Sequence, residues 1–89
     1  MADVIVDPSE MREFERSLRE LRNEIDARRA QLEQQVHDIR AFWNDEKYKN
    51  FVRRKEELML EIQIFTKMCD RYSDYLRRKA AAVDAYLGR

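Results

Sequence analysis

One glycine and one proline in 89 residues leave almost nothing to interrupt a helix, and the glycine, Gly88, lies at the far end of the chain. A single cysteine, Cys69, rules out an internal disulfide. The only histidine, His37, lies among Gln34, Gln35 and Asp38 without a cysteine or second histidine at ligand spacing, so it is expected on a solvated helix surface rather than on a metal. No apolar run approaches the ~20 residues that span a bilayer, and residues 1–7 lack the basic segment and apolar core of a signal peptide. The expected location is therefore the cytoplasm, with secretion without a cleaved signal peptide as the other route. Neither sign of charge dominates, with 18 acidic against 18 basic residues, so no large field exists to hold a nucleic acid. The basic clusters Arg53-Arg54-Lys55 and Arg77-Arg78-Lys79 are each balanced by nearby carboxylates, which leaves a nucleic-acid-binding helical protein as a lesser alternative. There is no glycine-rich phosphate loop and no gathering of nucleophile, base and metal ligand, so neither an enzyme nor a cofactor is expected.

What the sequence does contain is two apolar stripes. The first runs Met11, Phe14, Leu18, Leu21, Ile25, Leu32, Val36, Ile39 and Trp43, interrupted at Arg28. The second runs Tyr48, Phe51, Lys55, Leu58, Ile62, Phe65, Cys69, Tyr72, Leu76, Lys79, Val83 and Tyr86. Alternating steps of three and four, averaging ~3.5 residues, hold one helix face against a partner helix along its length. The spacing predicts an all-α antiparallel hairpin with Phe14, Leu18, Leu21, Ile25, Leu32, Ile39, Leu58, Ile62, Phe65, Cys69, Tyr72 and Leu76 as its core. Cys69 then acts as a small buried apolar group.

The boundaries follow from capping chemistry. Asp7 is the expected N-cap, with Pro8 at the first helical position, Glu10 completing a capping box and Val6 stapled to Met11. Residues 1–7 form an extended lead-in and helix one covers about 8–42, a rod of ~50 Å at ~1.5 Å per residue. The turn occupies 43–46, where Asn44 or Asp45 caps the next helix. Helix two covers about 46–87, so the hairpin spans 8–87. A rod of this length exceeds a compact domain of the same size, whose radius of gyration would be ~12 Å.

Helix two is apolar beyond a single seam. Val52 and Met59 widen the stripe on one side and Met68 and Tyr75 on the other. One partner helix cannot cover so wide a face, which predicts that the hairpin dimerises into a four-helix bundle with Val52, Met59, Met68, Tyr75 and Arg28 at the contact. A second copy is the commonest solution for identical chains; a different hairpin protein or a larger secreted effector would serve equally. The seam interruptions Arg28, Lys55 and Lys79 are expected to reach out to water along their stems, and for Arg28 alone a carboxylate such as Glu61 is the alternative.

The corner Ile39-Arg40-Ala41-Phe42-Trp43-Asn44-Asp45, with Tyr48 and Phe51 following, has a tryptophan at the end of helix one and a phenylalanine eight residues later. Together with the opening Val4-Ile5-Val6-Asp7-Pro8-Ser9-Glu10-Met11, this resembles the WXG family of small bacterial helical hairpins, the ESAT-like proteins, over nearly the whole chain. The resemblance implies a turn motif of Trp43, Asn44, Asp45 and Phe51, with Trp43 packed across the turn and Phe51 seated on it, and a four-helix dimer. It also implies a link to bacterial secretion, as substrate or as adaptor. Were Trp43 fully buried, its truncation to alanine would cost on the order of 3–5 kcal/mol. The chain departs from the family where glycine is replaced by Asp45 and where the C-terminal tyrosine is not followed four residues later by an acid: Tyr72 is followed by Leu76 and Tyr75 by Lys79. An intracellular coiled-coil adaptor without a secretion role is the alternative that the same residues allow.

Overall fold

The computed structural model describes residues 6–88. Two helices, α1 (Pro8–Ile39) and α2 (Glu46–Tyr86), pack antiparallel as a hairpin measuring 63 × 26 × 14 Å, with a radius of gyration of 19.7 Å. The helices begin where capping chemistry places them. Asp7 has extended backbone, and its carboxylate accepts from the amides of Ser9 at 2.9 Å and Glu10 at 3.3 Å. Pro8 follows at the first helical position, where its missing N–H has no intrahelical partner to lose. Val6 and Met11 flank a common groove, as a staple requires. The expected residues 1–5 of the lead-in lie outside the described residues.

The turn is longer than the spacing predicts. Helix α1 stops at Ile39 rather than near Phe42, where the amides of Arg40, Ala41 and Phe42 bond back three residues to His37, Asp38 and Ile39, at 3.3, 3.5 and 2.9 Å, and tighten the last turn. Residues 40–45 then make the connection. Of the two candidate caps for α2 it is Asp45, not Asn44, that accepts from the Tyr48 amide, at 2.9 Å. Asp45→Ala is therefore expected to cost about 1 kcal/mol and Asn44→Ala a few tenths, read as shifts in the urea midpoint. At the other end the Gly88 backbone has φ +74°, a conformation that stops α2 at little cost only for glycine.

The seam between the helices differs from the expected one. From α2 it takes the line Tyr48, Lys55, Ile62, Cys69, Leu76 and Val83, as predicted, but pairs it with Val52, Met59, Thr66, Ser73 and Ala80 instead of Phe51, Leu58, Phe65 and Tyr72. From α1 it takes Met11, Leu18, Ile25 and Leu32 together with Pro8, Glu15, Arg22 and Val36, leaving Phe14 and Leu21 outside. In each helix this is a rotation of about 50° from the expected seam, at about 100° per residue. Small side chains explain it. Thr66, Ser73 and Ala80 let the backbones approach where a line of Leu, Phe and Tyr would hold them apart, and Ala80 is wholly buried.

Polar cross-links then lock the register. The Ser73 hydroxyl donates to Glu15, Arg22 forks onto Asp70 with Nε–Oδ1 at 2.9 Å, Lys55 Nζ meets Glu33 at 2.8 Å, and the Tyr48 hydroxyl donates to the Val36 carbonyl at 2.8 Å. Among the described residues no helix is long and apolar enough to cross a membrane.

Candidate interaction face

The rotated seam gives the hairpin two unlike flanks. On one flank run Arg12, Arg19, Asp26 and Glu33 of α1 and Glu56, Gln63, Asp70, Arg77 and Asp84 of α2, each set at seven-residue spacing. Ion pairs stitch this flank closed from end to end. Arg12 meets Asp84, Arg22 meets Asp70 and Asp26, and Arg77 and Arg19 each approach Glu15 at 3.5 Å. Near the turn, Lys55 sits between Glu33 at 2.8 Å and Glu56 at 3.0 Å.

On the opposite flank the seven-residue lines are Phe14, Leu21 and Arg28 of α1 and Phe51, Leu58, Phe65 and Tyr72 of α2. Every one of these side chains is exposed, Phe14 at 59% and Leu58 at 50% among them. Met68 and Tyr75, one line further round α2, are exposed as well. Shared grooves show that both helices present the same face. Phe14 and Met11 line one groove with Tyr75, Leu76 and Lys79, while Leu21, Ile25 and Arg28 line another with Leu58 and Ile62.

Side chains expected inside the hairpin are therefore corrected outward: Phe14, Leu21, Leu58, Phe65 and Tyr72 are exposed because the seam passes beside their lines, and Ile39, on the seam line itself, is exposed where α1 ends. Leu18, Ile25, Leu32, Ile62 and Leu76 lie half-buried at the seam's edge, and Cys69 is buried as expected. Two side chains expected at a dimer contact move the other way. Met59 is buried in the hairpin seam and Val52 half-buried, while Met68, Tyr75 and Arg28 stay accessible. Arg28 lies beside the seam rather than in it and makes no ion pair with Glu61 within the hairpin. Lys55, far from reaching water, has a side chain only 5% exposed.

The turn motif is also rearranged. Trp43 is 37% exposed, and it is Tyr48 that closes the mouth of the seam, buried and hydrogen-bonded to Val36. The indole meets the Tyr48 ring edge-on at 5.2 Å and lies tilted 6.3 Å from Phe51. Phe51 thus seats near Trp43 while remaining exposed itself. Trp43 covers the turn from outside, so truncating it falls short of the cost of a fully buried indole.

Other exposed apolar groups escape both stripes. Leu60 and Ile64, one turn apart, stand on the outer side of α2, and Phe42 projects at the tip. Leu60 and Ile64 carry no heptad signal, and Phe42 becomes part of the turn only because α1 ends early. His37 is exposed. Among the described residues no three His, Cys, Asp or Glu side chains converge to hold a metal ion.

Three groups bind their proton more tightly in the folded chain: Lys55, Cys69 and Arg22, the last through its hydrogen bond to Asp70. Hydrogen bonding to Glu33 raises the Lys55 pKa against the opposing effect of burial, and burial, with Asp70 nearby, raises that of the Cys69 thiol. The unfolded chain therefore loses these protons first as the pH rises. Stability is full below the ordinary thiol range and declines from about pH 9 upward. Urea midpoints at pH 7 and about pH 10.5 check this, and equal midpoints would overturn it. Because Glu33 and Glu56 are both open to water, Lys55→Met strands no buried charge. It is expected to leave stability at pH 7 unchanged or raised, and to reduce the alkaline loss to its thiol part.

Comparisons with protein-family models, curated proteins and solved structures return no match for this chain.

Proposed function

We propose that this chain is a non-enzymatic interaction protein of WXG type, whose hairpin self-associates through its open flank into a four-helix bundle and works in bacterial secretion as a substrate or adaptor. One observation carries the bundle: one flank of the hairpin is closed by ion pairs while the other presents apolar lines from both helices. Phe14, Phe51, Phe65, Tyr72 and Tyr75 lie on or beside that flank. Buried aromatics cover ~150–250 Å² each, so five of them, about half uncovered, leave on the order of 500 Å² exposed. With Leu21, Leu58 and Met68 the face reaches the order of 800 Å² that each partner contributes to a standard interface, more than a typical monomer displays.

The seam pattern supports the same assembly. In a four-helix bundle each helix touches two neighbours, so three adjacent lines are apolar or tightly packed: one central, one toward the hairpin mate and one toward the second hairpin. Here the line of Ile62 and Cys69 is central, that of Met59 and Ala80 faces α1, and that of Leu58 and Phe65 is left for the second hairpin. The secretion role rests on the WXG-like corner and opening segment.

Light scattering after size exclusion, across a hundredfold range of concentration, tests the assembly. A mass twice that of the chain is expected, and a monomer throughout would overturn self-association. The secretion role predicts that the tagged chain, or a protein that co-purifies with it, reaches the cell-free medium of its host. Retention of both inside the cell would overturn that role.

A further inference from the structure

Two hairpins stacked face to face by a two-fold axis have two choices. With the axis along the bundle, both turns lie at one end and each α1 covers the partner's α2. With the axis across it, the turns lie at opposite ends, α1 covers α1 and α2 covers α2. Building on the self-association proposed above, we infer that the second copy docks with its turn beside the first.

Charge separates the two arrangements. Helix α1 holds eight carboxylates against six arginines, whereas α2 holds ten lysines and arginines against seven carboxylates. Turns together bring an acidic helix over a basic one; turns apart stack like on like. Such a difference selects orientation more than it adds affinity.

The apolar content of the face makes the same choice. On the exposed α1 line, Phe14 and Leu21 occupy the open-end half, and Arg28 and Gln35 the turn half. Turns apart would lay Phe14 over the polar Glu33–Gln35 stretch of the other α1. Turns together lay it at the height of the partner's Tyr72 and Tyr75, with Leu21, beside the Arg22 that pairs with Asp70, between the heights of the partner's Met68 and Tyr72. Arg28 falls between Arg22, which pairs with Asp70, and Glu33, which pairs with Lys55, so its height on α2 is that of Glu61. Arg28 makes no ion pair among the described residues, and its exposed side chain is free to meet the partner's Glu61.

A nitroxide label at the exposed tip, on Asn44→Cys with Cys69→Ala removing the other thiol, reads the orientation by electron–electron dipolar spectroscopy. Turns together place the two labels within about the 26 Å width of one hairpin, and turns apart separate them by nearly its 63 Å length. A second measurement leaves Cys69 in place. When Arg28→Glu and Glu61→Arg chains are mixed, the mixed dimer restores opposite charge at both crossings and is expected to exceed its statistical share. A dimer with the long distance and statistical mixing would overturn the orientation while leaving self-association standing. A monomer at every concentration would overturn both.

Discussion

Replacing both Leu58 and Phe65 with aspartate is expected to raise the dissociation constant of the dimer at least a hundredfold and to bring the mass in solution to that of a single chain. Both side chains lie on the flank that the hairpin leaves open, exposed at 50% and 38%. Burying a leucine or phenylalanine contributes ~1.5–3 kcal/mol. The two-fold axis doubles the loss, since each substitution strikes twice per dimer, and every factor of ten needs only ~1.4 kcal/mol. The control is Leu60→Asp with Ile64→Asp, on the outer side of the same helix and at least as exposed. That pair is expected to keep the dimer. Equal loss in both variants would mean that general apolar adhesion, rather than the open flank, holds the copies together.

Truncating Tyr48 to alanine is expected to cost on the order of 3–5 kcal/mol, much the largest single-residue effect at the turn. Its side chain fills the mouth of the seam and holds the Val36 carbonyl at 2.8 Å, just where the chain reverses. Tyr48→Phe retains the ring and loses only the hydrogen bond, about 1 kcal/mol. Phe51→Ala and Trp43→Ala, both partly exposed, are expected to fall below Tyr48→Ala. Thermal unfolding followed by circular dichroism ranks the four variants. A greater loss for Trp43→Ala than for Tyr48→Ala would mean that the indole, despite its exposure, is the keystone of the turn.

Both experiments concern side chains that the stripe pattern grouped together. Tyr48, Phe51, Leu58 and Phe65 share the periodicity of one amphipathic helix, and that period cannot distinguish the line facing α1 from the line beside it. The discriminating features are weak in a sequence. Thr66, Ser73 and Ala80 look like solvent-facing or filler residues, yet their small volumes are what let the two backbones close together. Lys55 looks like an interruption and Glu15 lies outside both stripes, although in the folded chain each finds its partners on the facing helix, Glu33 for the first and Ser73 and Arg77 for the second.

The sequence by itself determined the two helices, their antiparallel pairing and their outer ends, and narrowed the α2 cap to Asn44 or Asp45. Those features follow from local chemistry: Asp7 and Pro8 at one start, Asn44-Asp45 before the other, Gly88 at the end, and apolar residues at helical spacing between them. Only the tertiary structure decided which apolar line is spent within the hairpin and which is left open, because rotating a helix about its axis keeps its period while changing every neighbour. The seam settled where small side chains and ion pairs between the helices could be satisfied together, and the larger aromatic lines were left facing outward.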